Sequence, residues 1–317
     1  MSGADLRVLY VLGIYHSGTT VLSNLVGQLD GFFCVGELRT LWPKLTLPES
    51  RCGCGEFLVQ CPVWSKILSS AFGDGEDRIA VARQMWQDQR DALHEHHTWL
   101  RVRSVLRHRG HGLSANTPLG RYASGLERLY QAIAEQAGAK VIVDASKEPT
   151  DAALLLRMPG VDAAFAQIVR DPRGTVYSIM RFKSGEPGAL SRWRQSAYAA
   201  LSWSAGNLAG SAVRRAAGQD RSVLLRYEDF VTRPHETVAA LAALAGHPQR
   251  LEPAGDGQTV TMRTTHTVGG NNNRFRTGLV RLREDTEWRS RLHRLDRAAV
   301  TTMCAPLMAR YGYRLAP

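Results

Sequence analysis

The segment GIYHSGTT, residues 13–20, joins a run of apolar residues to a run with helical spacing. The apolar run LRVLYVLGI, residues 6–14, predicts a buried β-strand, and VLSNLVGQL, residues 21–29, predicts an amphipathic helix. A glycine-rich turn at the start of a helix presents backbone N–H groups to an anion, and the helix dipole strengthens the attraction. The order strand, glycine-rich loop, helix therefore predicts an α/β protein with an anion-binding loop.

The loop lacks the lysine of a triphosphate-binding loop. Gly13 and Gly18, followed by Thr19 and Thr20, match the pattern GxxxxGK(S/T) except that Thr19 stands in place of the lysine. A nucleoside triphosphatase needs that lysine, together with Mg²⁺, on its highly charged phosphates. The sequence thus favours a donor with a shorter and less charged 5′ chain, and a plain Gly/Ser turn is the alternative.

Apolar runs alternate with helical segments along the rest of the chain. Residues 140–145, 163–170 and 222–227 predict three more strands, whereas residues 32–50 predict an irregular stretch. Strands that alternate with helices indicate a parallel sheet covered on both faces. We therefore predict an α/β fold with a P-loop-like central parallel sheet, whose ligand binds beyond the carboxyl ends of the strands.

A single domain over residues 1–317, with a largely helical insertion at about 38–138 on the acceptor side, is the predicted organisation. The chain of 317 residues, 44% of them hydrophobic, is long enough for a substantial core, and no linker, repeat or low-complexity tract divides it. No apolar run reaches the roughly 18 residues of a membrane span, and no cleavable signal pattern is visible. These features predict a soluble, cytoplasmic protein.

The formal net charge of +11 favours an anionic ligand or surface. Much of the surplus is arginine scattered over predicted helices, so charge alone does not separate nucleotide, nucleic acid and anionic lipid. The chain has no recognisable nucleic-acid reading motif and no basic stripe interleaved with aromatic residues. We therefore expect no nucleic-acid partner.

Three motifs, in this order, resemble those of the sulfotransferase superfamily, which moves sulfuryl groups from 3′-phosphoadenosine 5′-phosphosulfate (PAPS). YHSGTT, residues 15–20, resembles the 5′-phosphosulfate loop, with His16 where the family usually has Lys or Arg. IVRDPRGTVYSIM, residues 168–180, resembles the 3′-phosphate segment. NRFRTG, residues 273–278, resembles the late loop that ends in Arg-Lys-Gly. The resemblance spans most of the chain and implies PAPS as donor, its bisphosphate PAP as product, and no metal in the reaction.

The resemblance also implies which residues bind the donor, because each lies at a position that matches a family motif. Tyr227, in LLRYEDF, falls where the family uses a tyrosine near the adenine. Thr277 departs from the family's lysine, and Arg274 either joins the site or faces solvent. The implied donor-binding residues are His16, Ser17, Gly18, Thr19, Thr20, Arg170, Ser178, Tyr227, Arg274, Arg276, Thr277 and Gly278.

The 3′-phosphate site has an independent physical argument. A phosphate monoester is nearly a dianion, and a planar guanidinium can bind it with two parallel hydrogen bonds. Arg170 at a strand end, with Ser178 and with Arg276 from a distant loop, would form such a clamp. The alternative for Arg170 is an ion pair with Asp171 or Glu228.

Three catalytic residues follow from the resemblance, which around the active site is to the tyrosylprotein, carbohydrate and bacterial sulfotransferases. Glu37, in a Gly-Glu pair after the first helix, is implied as the general base, and Lys147, in DASK, as the group that stabilises the leaving oxygens. His16 is a second acid or base candidate, and which of Glu37 and His16 is the base stays open. The alternative for Glu37 is an ion pair with Arg39, and Asp144 is expected to orient Lys147 or to cap a turn.

Cys52, Cys54 and Cys61 lie within ten residues of one another. A zinc site would need a fourth ligand such as Cys34 or a histidine, and the CxC spacing departs from the usual CxxC. A disulfide is disfavoured in a reducing cytoplasm. Free thiols on a loop beside the substrate are the preferred interpretation, and no metal site is predicted.

We therefore expect a sulfotransferase that uses in-line displacement to modify a hydroxyl or amine of a small-molecule, carbohydrate or lipid acceptor. A P-loop kinase is one alternative, which Thr19 disfavours, and a non-catalytic nucleotide or nucleic-acid binder is another. The insertion and a helix that carries Trp193 and Trp203 are expected to shape the acceptor side. The identity of the acceptor and the oligomeric state stay open.

Overall fold

The computed structural model describes residues 6–73, 78–93, 98–107, 113–181 and 189–315. Within these residues the strands are β1 (Leu6–Gly13), β2 (Phe32–Gly36), β3 (Val141–Lys147), β4 (Val161–Val169), β5 (Ser222–Arg226), β6 (Thr259–Met262) and β7 (Gly278–Arg281). The α-helices are α1 (Thr19–Gly27), α2 (Leu41–Leu45), α3 (Pro62–Phe72), α4 (Arg78–Ala92), α5 (Thr98–Arg107), α6 (Pro118–Ala137), α7 (Pro149–Leu155), α8 (Pro172–Arg181), α9 (Ala189–Ala217), α10 (Tyr227–Thr232), α11 (Pro234–Leu244), α12 (Trp288–Arg291) and α13 (Arg294–Arg310). Short 3₁₀ turns cover Leu38–Thr40, Gln219–Arg221 and Asn272–Phe275.

Five parallel strands form the central sheet in the order β2-β3-β1-β4-β5. The middle strand, β1, pairs with β3 on one side and β4 on the other. Because consecutive parallel strands need a crossover, helices occupy the connections. The predicted α/β fold with a central parallel sheet is confirmed.

Helices cover both faces of this sheet, as the alternation of side chains along β1 shows. Val8, Tyr10 and Leu12 belong to a core shared with α2 to α7 and part of α9. Leu9 and Val11 belong to a second core shared with α1, α10 and α11. A strand buried on both faces reads as a continuous apolar run, which explains why β1 is visible in the sequence. The helices of the predicted insertion contribute to the first core, whereas the division of the chain into domains stays a prediction.

The edge strand β2 corrects the sequence analysis, which assigned residues 32–50 to an irregular stretch. FFCVG pairs with β3 in parallel, and Phe32 lies opposite Val141. A five-residue apolar run does not distinguish a strand from a helix or a buried loop by periodicity. The hairpin of β6 and β7 is a further pair of strands that the sequence analysis did not identify.

None of the helices in the described ranges is long and apolar enough to cross a membrane.

Candidate active site

A cleft of about 780 Å³ opens at the edge of the sheet where β1, β3 and β4 end. This volume is typical of a site for a small molecule. Its lining is strongly basic, because seven Lys or Arg side chains face two carboxylates, Glu37 and Asp285. The basic residues are Lys44, Lys147, Arg170, Arg181, Arg276, Arg281 and Arg283. An anionic ligand is the chemistry that such a cleft favours.

The loop of residues 13–20, here called the glycine-rich loop, forms one end of the cleft. His16 and Gly18 both have positive φ, 68° and 85°, and α1 begins directly after them. The first N–H groups of any α-helix have no intrahelical acceptor. At α1 the N-cap residue is Gly18, which has no side chain to accept from them. Ser17 is buried and its Oγ has no hydrogen-bond partner among the described residues. The loop therefore presents unsatisfied donors, as an anion site requires.

Tyr227 closes the glycine-rich loop from the side. A Cβ atom added to Gly18 would lie 2.7 Å from Cδ2 of Tyr227, so only glycine allows this ring to pack so close. The same ring lies beneath the guanidinium of Arg170, with 4.7 Å from Cζ to the ring centroid. Tyr227 is the first residue of α10, directly after β5, and it lines the cleft.

Arg170 follows β4 and is held from three directions. Its Nη1 donates to the carbonyl oxygen of His16 at 2.8 Å, and its Nη2 pairs with Oδ2 of Asp285 at 3.0 Å. Trp203 Nε1 donates to the Arg170 carbonyl at 3.0 Å, which makes Trp203 a buried support. Arg170 and the glycine-rich loop thus belong to one cleft.

The ion pair of Arg170 differs from the pairs considered in the sequence. Asp171 pairs instead with Arg173 at 2.7 Å, and its Oδ1 caps α8 by accepting from the Arg173 backbone N–H. Glu228 accepts from Tyr313 and from the Asp171 backbone N–H. No local pattern marks Asp285 as a partner, because it lies 115 residues after Arg170.

The other predicted donor-binding residues divide into two groups. Ser178, on α8, and Arg276 both line the cleft, as do Thr19 and Thr20. Thr277 and Gly278 are exposed and lie outside its lining.

Arg274 also lies outside the cleft, which corrects the expectation that it would join the site or face solvent. It is buried, and its Nη1 donates to the carbonyl oxygens of Thr267 and Gly269 at 3.3 and 3.0 Å. Its Nη2 donates to the Arg51 carbonyl at 3.0 Å. Arg274 therefore fastens two loops behind the cleft.

Glu37 and Lys147 meet across the cleft floor, where Lys147 Nζ donates to Glu37 Oε1. Both side chains are largely buried, with 13% and 7% of their surface exposed. Arg39, the partner considered in the sequence, pairs with Asp151 at 2.9 Å instead. Lys147 has a positive φ of 69°, so His16 and Lys147 are the two non-glycine residues with positive φ in the described chain. Such backbone strain is concentrated at functional sites.

Asp144 does not orient Lys147 through a direct contact. Its Oδ1 accepts from the N–H and hydroxyl of Ser146, and its Oδ2 accepts from Tyr130 at 2.6 Å. Asp144 is a buried residue within β3, and this burial raises its pKa to about 6 despite the three hydrogen bonds. Asp144 therefore holds Ser146, the residue before Lys147, within β3.

His16 is neutral in this environment at pH 7. Burial lowers its pKa, and the positive charges of Arg170, Lys147 and Arg181 lower it further. A neutral imidazole donates one hydrogen bond and accepts another. A bound anion nearby would act in the opposite direction on the His16 pKa.

The comparisons with known proteins agree with this fold. The chain matches the sequence model described as the Sulfotransferase family over residues 9–251. No curated protein matches the chain in sequence. The sulfotransferase domain of the Synechococcus PCC 7002 olefin synthase is 18% identical with a TM-score of 0.55, over 97% of this chain and 94% of that one. The sulfotransferase domain of the curacin biosynthetic pathway is 15% identical with a TM-score of 0.54, over 97% and 98%.

The two structural similarities concern the fold, whereas the family match covers far more than half of the chain. The resemblance noted in the sequence is thereby confirmed at the level of the superfamily, and sulfotransfer is the activity that it supports. The chain belongs to the sulfotransferase family.

Proposed function

We propose that the protein transfers a sulfuryl group from PAPS to a hydroxyl or amine of a small-molecule, carbohydrate or lipid acceptor. The observation that carries the proposal is one basic cleft that joins the glycine-rich loop, Arg170 and the Glu37–Lys147 pair. A cytoplasmic location, without a nucleic-acid partner, belongs to the same proposal.

The residues present fit the donor. The unpaired Oγ of Ser17 and the N–H groups at the start of α1 suit a phosphosulfate, which carries less charge than a triphosphate and so does not need the triphosphate-binding lysine that Thr19 replaces. Arg170, Ser178 and Arg276 would hold the 3′-phosphate, and Tyr227 would contact the adenosine. The excess of positive side chains in the lining favours a ligand with this many negative charges.

When bound, PAPS supplies the sulfuryl group and leaves as PAP. Glu37, a carboxylate at the cleft floor, would act as the general base that takes the proton from the acceptor oxygen or nitrogen. Lys147 orients that carboxylate and brings positive charge to the same place. We assign the base to Glu37 rather than His16, because Glu37 is a carboxylate paired with Lys147, whereas His16 belongs to the glycine-rich loop that would hold the anionic end of the donor.

The test is incubation with PAPS and a panel of hydroxylated and amino compounds, without added Mg²⁺, scored by mass for the gain of one sulfo group. Glu37→Gln should abolish transfer and leave the affinity for PAP nearly unchanged. Glu49→Gln is the matched control, because Glu49 is exposed and lies outside the cleft, and it should transfer at the wild-type rate. Full transfer by Glu37→Gln would refute the assignment of the base.

A further inference from the structure

Four side chains that can ligate a metal converge behind the cleft. Their ligand atoms are Sγ of Cys52, Cys54 and Cys61 and Nδ1 of His266, and all four lie within 4.8 Å of one another. The three cysteines come from the loop between α2 and α3, whereas His266 comes from the segment between β6 and β7, more than 200 residues later. We call these four residues the Cys3His cluster.

Three separations within the Cys3His cluster match the edges of a tetrahedral zinc site, and all ligand atoms lie within 4.8 Å of one another. Zn–S bonds of about 2.3 Å and Zn–N bonds of about 2.0 Å require edges of roughly 3.8 Å between two sulfurs and roughly 3.5 Å between sulfur and nitrogen. Cys54 Sγ and Cys61 Sγ are 3.9 Å apart. Nδ1 of His266 lies 3.7 Å from Cys52 Sγ and 3.3 Å from Cys61 Sγ. A disulfide requires about 2.05 Å, and the cysteines are free thiols.

We propose that the Cys3His cluster binds one Zn²⁺ ion in a structural site. Four protein ligands complete a tetrahedron and leave no open position for a substrate, as structural zinc sites do. Thiolate and imidazole ligands favour Zn²⁺ over Mg²⁺, which prefers oxygen ligands. Binding releases the three thiol protons, and three thiolates with a neutral imidazole and a dication carry one net negative charge.

The surroundings suit a site with that charge. Arg274 donates to the carbonyl oxygens of Arg51, the residue before Cys52, and of Thr267, the residue after His266, so its positive charge lies beside the loops that carry the ligands. Trp64 Nε1 donates to the backbone carbonyl of His266 at 2.6 Å, which fixes the backbone of the histidine.

The Cys3His cluster is coupled to the catalytic edge of the sheet through the backbone. Cys52 forms an antiparallel bridge with Val268, and Val268 forms a parallel bridge with Gly36 at the end of β2. The carbonyl oxygen of Val268 then accepts from the Glu37 N–H at 2.6 Å. A zinc ion would therefore tie the segment that supports Glu37 to the loop before α3.

The test is to purify the full chain without a metal-affinity step and to measure its metal content by mass spectrometry of the dissolved metal. Wild type should contain one zinc ion per chain. Cys54→Ser and His266→Ala should each lower the zinc content at least tenfold. Cys304→Ser is the matched control, because Cys304 is a buried free cysteine in the α9–α13 core, and it should retain the zinc.

Cobalt substitution of the wild type provides a second measurement that does not depend on whether a variant folds. Co²⁺ in the proposed site should show thiolate charge-transfer bands and the visible bands of tetrahedral cobalt, and added Zn²⁺ should abolish both. Wild type that contains no zinc and takes up neither ion would overturn the proposal, as would a Cys54–Cys61 disulfide in the purified protein. Neither measurement uses PAPS. The zinc proposal can therefore be refuted while the proposed sulfotransfer stands, and sulfotransfer can be refuted while the zinc proposal stands.

Discussion

Replacement of Arg170 by lysine is expected to weaken the binding of PAP while the positive charge is kept. The guanidinium donates to the His16 carbonyl with one nitrogen, pairs with Asp285 through another, and lies 4.7 Å above the centre of the Tyr227 ring. A lysine ends in a single ammonium nitrogen, which cannot reproduce these contacts and also bind a phosphate with two parallel hydrogen bonds.

The magnitude follows from the loss of one charge-assisted hydrogen bond. Such a bond contributes about 1.5 to 3 kcal/mol. The dissociation constant for PAP should therefore rise roughly 10- to 150-fold in Arg170→Lys. Isothermal titration calorimetry with PAP measures this change, and thermal unfolding without ligand measures the accompanying loss of stability.

Arg173→Lys is the matched control. Arg173 is equally buried, pairs with Asp171 at 2.7 Å, and lies 4.6 Å above the centre of the Trp288 ring, but it lies outside the cleft. Both variants should lose similar amounts of stability, and only Arg170→Lys should lose affinity for PAP. An equal loss of affinity in both variants, or no loss in Arg170→Lys, would refute the assignment of Arg170 to the 3′-phosphate.

Three further outcomes are expected. Gly18→Ala should lower the free energy of unfolding by about 1 to 2 kcal/mol, since φ is 85°, and should weaken PAP binding because the new Cβ meets the Tyr227 ring; wild-type affinity would contradict this. PAP binding should take up a proton at His16, because burial and the neighbouring positive charges lower its pKa in the free protein and a bound anion opposes that shift. The affinity for PAP should therefore fall as pH rises, relative to His16→Gln, and calorimetry in two buffers measures the proton uptake. Asp144 has a folded pKa of about 6, above its unfolded value, so its contribution to stability is complete below about pH 4 and is lost as pH rises through 6. The difference in the free energy of urea unfolding between wild type and Asp144→Asn should therefore shift by roughly 2 kcal/mol in favour of the variant between about pH 4.5 and 7.5, and an unchanged difference would exclude this.

The sequence predicts the central strands and the strand ends because both leave local patterns. β1, β3 and β4 are rich in apolar residues, and residues such as Arg170 and Lys147 lie at or directly after their ends. The parallel arrangement then brings those ends to one edge without any knowledge of contacts. β2 escaped prediction because five residues are too few to show a period.

The partners of the site residues were not predictable, since they depend on contacts between distant parts of the chain. Asp285 joins Arg170 across 115 residues, and His266 joins Cys61 across 205. Arg274 illustrates the limit of a motif, because it lies within NRFRTG and yet donates to backbone carbonyls behind the cleft. The spacing of a motif along the chain can indicate that a residue lies near a site. It does not indicate the direction in which the side chain of that residue points.

The left-handed backbone at His16 and Lys147 has a consequence for protein engineering. Each such conformation costs about 1 to 3 kcal/mol, which the rest of the fold must offset. Glycine at position 16 would relax the chain, and a screen for heat resistance could select it, whereas glycine at position 147 would also remove the lysine partner of the buried Glu37 carboxylate. Thermostable variants that carry His16→Gly should be checked for turnover before use, because stability and catalysis can compete at such a residue.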